Sequence, residues 1–231
     1  MMDFEERTKQ RYRADSGRLY HEGKRSIPEA AYPWVARLRA EKIAPYVTGT
    51  DTVLEYGVGT GWNLAALECN RKIGQDLAVH LAEEVRRHGI EFIGDCEEIA
   101  AGSVDVVICH HVLEHVPHPA KVLEEIRRPL KAGGRLLVFV PFEDQRRYYR
   151  YDPDEPNHHI YSWNVQTLGN LVADLGFEIE DARTGRFGYD RFAANRAVQL
   201  GLGEGGYRLI RRLVQVVAPM LEVRIAARKA Q

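Results

Sequence analysis

The sequence is short of cysteine, of net charge and of long apolar runs, and each shortage closes off a class of protein. Its three cysteines, Cys69, Cys96 and Cys109, leave one unpaired under any pairing, and none stands in a C-x-x-C. Neither a disulfide framework nor a cysteine zinc site is indicated, and a reducing compartment fits. The formal net charge is −1, from 32 Lys and Arg against 33 Asp and Glu, so no global field draws the chain to nucleic acid. No apolar stretch reaches the roughly 18 residues that a membrane-spanning helix requires. The opening MMDFEERTKQRYR is charged where a secretory leader would be apolar. Internal repeats and low-complexity tracts are missing too. A soluble, cytoplasmic protein is expected.

What is present suits one domain over residues 1–231: 45 % of the residues are hydrophobic, enough for a full core. From residue 51 onward short apolar runs alternate with amphipathic segments: DTVLEYG then NLAALE, RKIGQDL then VHLAEEVRRH, EFIGD, DVVICH then AKVLEEIRRPL, and RLLVFVP. Runs rich in β-branched residues and separated by helical patterns are what a parallel sheet covered on both faces requires. An α/β, doubly wound, Rossmann-like fold is expected, with a seven-stranded, mostly parallel sheet and helices on both faces. Residues 1–48 read as an N-terminal helical cap over the ligand crevice, with SIPE at 26–29 as a capping box. Residues 49–141 read as a cofactor-binding core, and 142–231 as a substrate-side insert and C-terminal strands.

Within that frame a helix is expected over 119–131, opened by Pro119 and closed by Gly133-Gly134, with Val122, Leu123, Ile126 and Leu130 on one face. Asn164 should cap a helix reaching about Leu175, with Gly176 ending it before a strand. LEVRIAARK alternates like a final strand, and an amphipathic helix over 207–221 fits upstream of it. Basic character is local: RRYYRY at 146–151, and six cations against one acid from Tyr207 to Gln231.

The stretch VLEYGVGTGWNLAAL at 53–67 reads as strand, glycine turn and helix, with Gly57, Gly59 and Gly61 letting the backbone turn tightly beside a ligand. A dinucleotide site would want G-x-G-x-x-G, and position 62 holds Trp62 instead. Glu55, two residues before the first glycine, would repel a pyrophosphate and suits a ligand bearing an amino group or positive charge.

An acid followed by G-x-G-x-G after the first strand resembles the class I S-adenosylmethionine-dependent methyltransferases. GQD at 74–76 is similar to the family's second-strand end, GDCEEI at 94–99 to its adenine segment, and 103–141 to its fourth strand, helix and fifth strand. HHIYSWNVQTLGNLVADLGF is similar to the segment leading to its sixth strand. The resemblance covers about residues 50–180 and implies S-adenosylmethionine as cofactor, with S-adenosylhomocysteine as product. It assigns cofactor contacts to Glu55, Gly57, Gly59, Gly61, Asp76, Leu77, Asp95, Cys96 and His110, with Asp76 on the ribose hydroxyls, Asp95 near the adenine amine and Cys96 donating from its backbone. As thiols, Cys96 and Cys109 read as small packing residues.

HHVLEHVPH at 110–118 holds four of the nine histidines, and HVLEH fits the H-x-x-E-H of one class of zinc peptidases. Its place at the carboxyl end of the fourth strand argues for the lip of a ligand crevice instead. LEHVPHP also resembles LEHVPDP of the ubiquinone-biosynthesis O-methyltransferases, whose E-x-x-E-H is associated with a divalent cation. Here His111 replaces the first acid, and no metal is expected, magnesium preferring oxygen ligands.

Methyl transfer is a direct displacement helped mainly by alignment, and a base is needed only where the acceptor loses a proton. The candidates are His111, His159 and His115. Arg146, Arg147 and Arg150 favour an anionic or glycosylated small molecule. The competing readings are a nucleic-acid methyltransferase, opposed by the charge and by the lack of an N-P-P-Y-like tetrapeptide, and a non-catalytic cofactor-binding or interaction protein. In the latter, GYRLIRRLVQVV would touch a membrane surface or a partner.

Overall fold

The computed structural model describes residues 3–13, 27–143, 150–153, 155 and 157–231. Seven strands form one sheet: β1 (Thr52–Tyr56), β2 (Arg71–Gln75), β3 (Glu91–Ile93), β4 (Val104–His110), β5 (Leu130–Phe142), β6 (Phe177–Arg186) and β7 (Leu221–Lys229). Their order is β3-β2-β1-β4-β5-β7-β6. The pairs from β3 to β5 are parallel, and β7 runs antiparallel to both β5 and β6. The strand order reverses between β1 and β4, and such a switch point opens a crevice at the carboxyl ends of the two strands.

Alternation along each central strand sends side chains to two separate cores. Leu54, Val107, Cys109, Leu136 and Val138 face one side, where Val122, Leu123 and Ile126 of helix α5 (Pro119–Arg127) and Leu168 and Val172 of α6 (Val165–Asp174) cover them. Val53, Val106, Ile108, Leu137 and Phe139 face the other, under Ile43, Leu64, Leu81 and Val85. That second side carries α3 (Trp62–Ala65) and α4 (Ala82–Arg87). Helices thus lie on both faces, as the apolar periodicity requires.

The helix expected over 119–131 stops at Arg127, and Leu130 already pairs with Val104 in β5. Pro129 explains the early stop: it cannot donate to the helix ladder, and its ring collides with the carbonyl one turn back. Gly133 and Gly134 therefore belong to β5, where the register jumps between the pairs Val104–Leu130 and Val106–Arg135 and Gly133 takes φ +72°. They form a bulge and terminate no helix. The helix signals further on hold: Asn164 accepts from Thr167 N at 2.9 Å in a capping box, and Gly176 follows the helix with φ +80°.

The cap contributes α1 (Phe4–Tyr12) and α2 (Tyr32–Glu41); the capping box proposed from Ser26 lies outside the described residues. Two helices fill the connection from β6 to β7, α7 (Asp190–Gln199) and α8 (Gly203–Val217). The amphipathic pattern anticipated α8, whereas α7 had no sequence expectation. Ala193, Ala194 and Ala197 of α7 and Tyr207 of α8 pack with Ala31, Val35 and Trp62 in a third apolar cluster. The cap and this hairpin are thereby fastened to the glycine turn.

Candidate functional site

The turn after β1 consumes most of its own polar backbone. The N–H groups of Gly57 and Val58 both donate to Gln75 O at 2.9 Å, and that of Gly61 to Val58 O at 2.9 Å. Gly59 N donates to Asp76 Oδ2 at 2.8 Å, and the other oxygen of Asp76 accepts from Ala78 N at 2.8 Å. With four of the five loop donors spent in this way and α3 only four residues long, the turn has little to offer a phosphate. This agrees with the missing glycine at position 62 and narrows the expectation of a donor-rich helix start.

All three glycines have positive φ, +74°, +52° and +82°, a region costly to residues with a Cβ. Packing demands two of them as well: a Cβ at Gly57 would overlap Val112 Cγ2, and one at Gly61 would lie 2.8 Å from Ile90 Cδ1. Gly57→Ala is therefore expected to lower unfolding stability by about 2–5 kcal/mol, the sum of backbone strain and overpacking. Urea titration checks it. A second change, Val112→Ala, should restore only the overpacking part, so full recovery would refute the strain argument.

Beneath the turn sits a carboxylate with one orphaned oxygen. Glu55 is 1 % exposed. Asn63 Nδ2 donates to its Oε1 at 2.5 Å, and its Oε2 is buried with no hydrogen-bond partner among the described residues. Burial pushes its carboxyl up to about 8, against lowering by Asn63 and Arg39. A buried acceptor with nothing to accept from is the mark of a site completed by a ligand donor or cation. Trp62, next to Asn63 in sequence, lies against Tyr32 at 5.0 Å, with Arg39 over its ring at 5.4 Å.

At the next strand end, Asp76 is buried and Leu77 half-buried. Asp95 is exposed and caps the turn over Cys96–Glu98 by accepting from Glu97 N at 2.9 Å. The Cys96 side chain is fully buried, its thiol pushed up to about 12 by burial, and its carbonyl accepts from Arg128. Cys109 is buried likewise, with its thiol raised by desolvation. Both are packing residues.

His110 ends β4 and His111 follows it directly. Strand geometry would send them to opposite faces, but His111 adopts φ +56°, and its ring stacks on that of His110 at 4.4 Å and 8°. A non-glycine residue held there is local strain of the kind found at functional sites. Lys42 Nζ lies 2.7 Å from His110 Nε2 and 2.9 Å from Glu222 Oε1. An ammonium only donates, so His110 Nε2 accepts. Desolvation, reinforced by Lys42, holds His110 well below the usual histidine range.

Glu222 is fully buried, and Arg224 Nε donates to it at 2.9 Å. Burial would raise its carboxyl, but the Lys42 charge and the His111 hydrogen bond outweigh that and hold it at about 2. His111 Nε2 lies 3.3 Å from Glu222 Oε2. Because an ionised carboxylate only accepts, Nε2 carries the proton; in the neutral tautomer that matches this contact the lone pair is on Nδ1.

A second cluster adjoins the first. His111 Nδ1 is 3.9 Å from Glu114 Oε1, as is His115 Nε2. Tyr12 Oη meets His115 Nδ1 at 2.9 Å, the His115 and His159 rings are 4.8 Å apart, and His159 Nδ1 donates to Glu143 at 2.5 Å. The three candidate bases thus converge on one crevice. Arg150 is exposed, and Arg146 and Arg147 lie outside the described residues.

Among the described residues two groups have the donor types of a metal site, His110 with His111 and Glu222, and Glu114 with His115 and His159. In the first, Lys42 and Arg224 already supply positive charge to the carboxylate, so a metal ion there would meet two cations. The second pairs Glu114 and His115 with His159, in place of the His111 that the H-x-x-E-H spacing suggests. Residues 111–118 contain no helix, so the helical scaffold of a zinc peptidase is not there. Sequence reasoning missed Lys42, Glu222, Arg224, Tyr12, Glu143 and Asn63. Glu222 left one signal, as the only acid among six cations in the last 25 residues.

The family model described as "Methyltransferase domain" matches residues 23–182. A probable S-adenosylmethionine-dependent methyltransferase of Mycolicibacterium smegmatis is 33 % identical over 171 residues, which cover 69 % of this chain and 65 % of that protein. The chain thus spans just under two thirds of that relative. A ubiquinone biosynthesis O-methyltransferase of Xanthomonas oryzae is 36 % identical over 95 residues, 35 % of this chain and 40 % of that one. Among solved structures, a putative methyltransferase of Bacillus halodurans superposes with a TM-score of 0.61 at 18 % identity, over 84 % of this chain and 98 % of the other, a likeness of fold.

Proposed function

The chain belongs to the class I S-adenosylmethionine-dependent methyltransferases, and from that premise we propose that it methylates a small-molecule acceptor at a hydroxyl oxygen, with His111 receiving the proton. The observation that carries this reading is the hydrogen bond from His111 Nε2 to the buried, ionised Glu222, which leaves Nδ1 as a base. An imidazolium formed there meets a carboxylate on either side, Glu222 at 3.3 Å and Glu114 at 3.9 Å. A carboxylate acceptor would need no such arrangement.

Bound at the turn after β1, S-adenosylmethionine supplies a methyl group made electrophilic by its sulfonium. The residues fit that group: the orphaned oxygen of Glu55 suits its ammonium, and the inward carboxylate of Asp76 retains acceptor capacity for the ribose hydroxyls. Asp95, exposed beside the buried Cys96, would take the adenine amine. His115 and His159, tied to Tyr12 and Glu143, hold the acceptor side of the crevice in shape. The formal charge of −1 supports a small molecule over a nucleic acid, and the exposed Arg150 suits an anionic or glycosylated one.

Calorimetric titration with S-adenosylhomocysteine tests the cofactor half. Asp76→Ala is expected to weaken binding about 10- to 150-fold, the worth of a charge-assisted hydrogen-bond set, and unchanged affinity refutes the assignment. Transfer of a labelled methyl group into fractionated metabolite extracts tests the other half. A base-stable labelled ether supports hydroxyl methylation, and a base-labile labelled ester overturns it.

A further inference from the structure

Helix α8 shows solvent a face that no element among the described residues covers. Leu209, Leu213 and Val216 recur at helical spacing along it, with Leu202 just ahead of its start and Val217 at its end, and all five are more than half exposed, Val217 at 86 %. The opposite face, with Tyr207 and Gln215, is buried against the cap and the end of β6. Phe192 on α7 and Leu200 just after it are exposed as well.

The exposed charges that α7 and α8 themselves carry have one sign. Arg212, adjacent to the Leu209–Leu213–Val216 row, is exposed, and so are Arg191 and Arg196 on α7. The two acids between Phe187 and Met220 are both turned onto arginines: Asp190 accepts from Arg39 and Arg211, and Glu204 from Arg37 and Arg208. An apolar row bordered by exposed cations, on a hairpin whose own acids are all paired and whose Arg208 also holds a cap acid, Glu41, matches an interface with an acyl layer below and anionic headgroups above. A second copy of the chain fits less well, because symmetric pairing of this row would set arginine beside arginine. No described helix is long and apolar enough to cross a bilayer, so the contact is peripheral.

We propose that the α7–α8 hairpin docks this protein onto an anionic lipid bilayer, with the Leu209–Leu213–Val216 row in the acyl boundary and Arg212 among the headgroups. The hairpin is reached from β6 through Phe187, whose ring is 5.1 Å from that of His111. Docking would therefore hold the methyl-acceptor crevice close to the lipid surface. The inference does not depend on which atom is methylated.

Flotation of the full chain with vesicles of phosphatidylglycerol, and separately of phosphatidylcholine, tests it. Expected are recovery with the anionic vesicles only and release by high salt. Leu209→Asp combined with Leu213→Asp should reduce partitioning by about tenfold or more, and Arg212→Gln by about fivefold, the worth of one interfacial cation. Since the double variant could also perturb folding, Leu213→Trp supplies an independent readout, the emission of the added indole shifting to the blue with anionic vesicles. Absence of vesicle binding, equal recovery with both lipids, or an emission of the Leu213→Trp variant that does not shift overturns the proposal. So does a solution dimer that dissociates in the double variant while vesicles recover no protein, since the row would then be a self-interface.

Discussion

Glu55→Gln stabilises the ligand-free protein at pH 8 and removes most of the pH dependence of cofactor binding. The folded carboxyl titrates near 8 because it is buried, against an ordinary value of 4.5. Between those two values the folded state holds a proton that the unfolded state has released, so stability falls as pH rises from 4.5 and stops falling above about 8. Each pH unit across that window removes about 1.4 kcal/mol, and the whole loss is on the order of 3–5 kcal/mol. Glutamine carries no such penalty and still accepts from Asn63. Urea unfolding at pH 5 and pH 8 measures the difference, and equal pH slopes for the two proteins would show that Glu55 is already ionised in the fold.

Cofactor binding reverses the sense. An ammonium beside the orphaned oxygen favours the carboxylate, so affinity for S-adenosylhomocysteine should rise with pH up to about 8, by no more than about tenfold per pH unit. In the Gln variant that rise should vanish, leaving weaker binding at pH 8. A variant that binds as well as the parent at pH 8 removes Glu55 from the cofactor site.

His111→Gln carries the second large effect. With an acceptor identified by label transfer, kcat should drop by about 10²–10⁴, the usual contribution of a positioned general base, while affinity for S-adenosylhomocysteine stays within about twofold, in line with a role confined to the acceptor. Undiminished turnover would point to an acceptor with no proton to give up, or to His115 or His159 as the base. Gln keeps a donor for Glu222, so the buried acid stays paired and a fall in rate does not report collapse of the Lys42–Glu222 pair.

Much of the site was legible because it is local. Glu55, the glycines and Asp76 sit at strand ends that apolar periodicity marks, and the glycine turn joins β1 to α3 without any long-range contact. His110 and His111 were placed at the crevice by the same reasoning. The misread helix end at 127 was also local, since Pro129 stood in the sequence and was outweighed by the two glycines after it.

The sequence by itself determined the doubly wound sheet and the carboxylate-flanked turn, because strand and helix periods and glycine spacing act over a few residues. Only the tertiary structure decided which groups partner each histidine. Glu222 and Lys42 are 180 residues apart, and they meet because β7 inserts antiparallel between β5 and β6 while the cap folds back over the crevice. The tautomer of His111, the neutrality of His110 and the depressed carboxyl of Glu222 all follow from that meeting. No window on the chain contains it, since burial and the charge of a distant neighbour set those properties together.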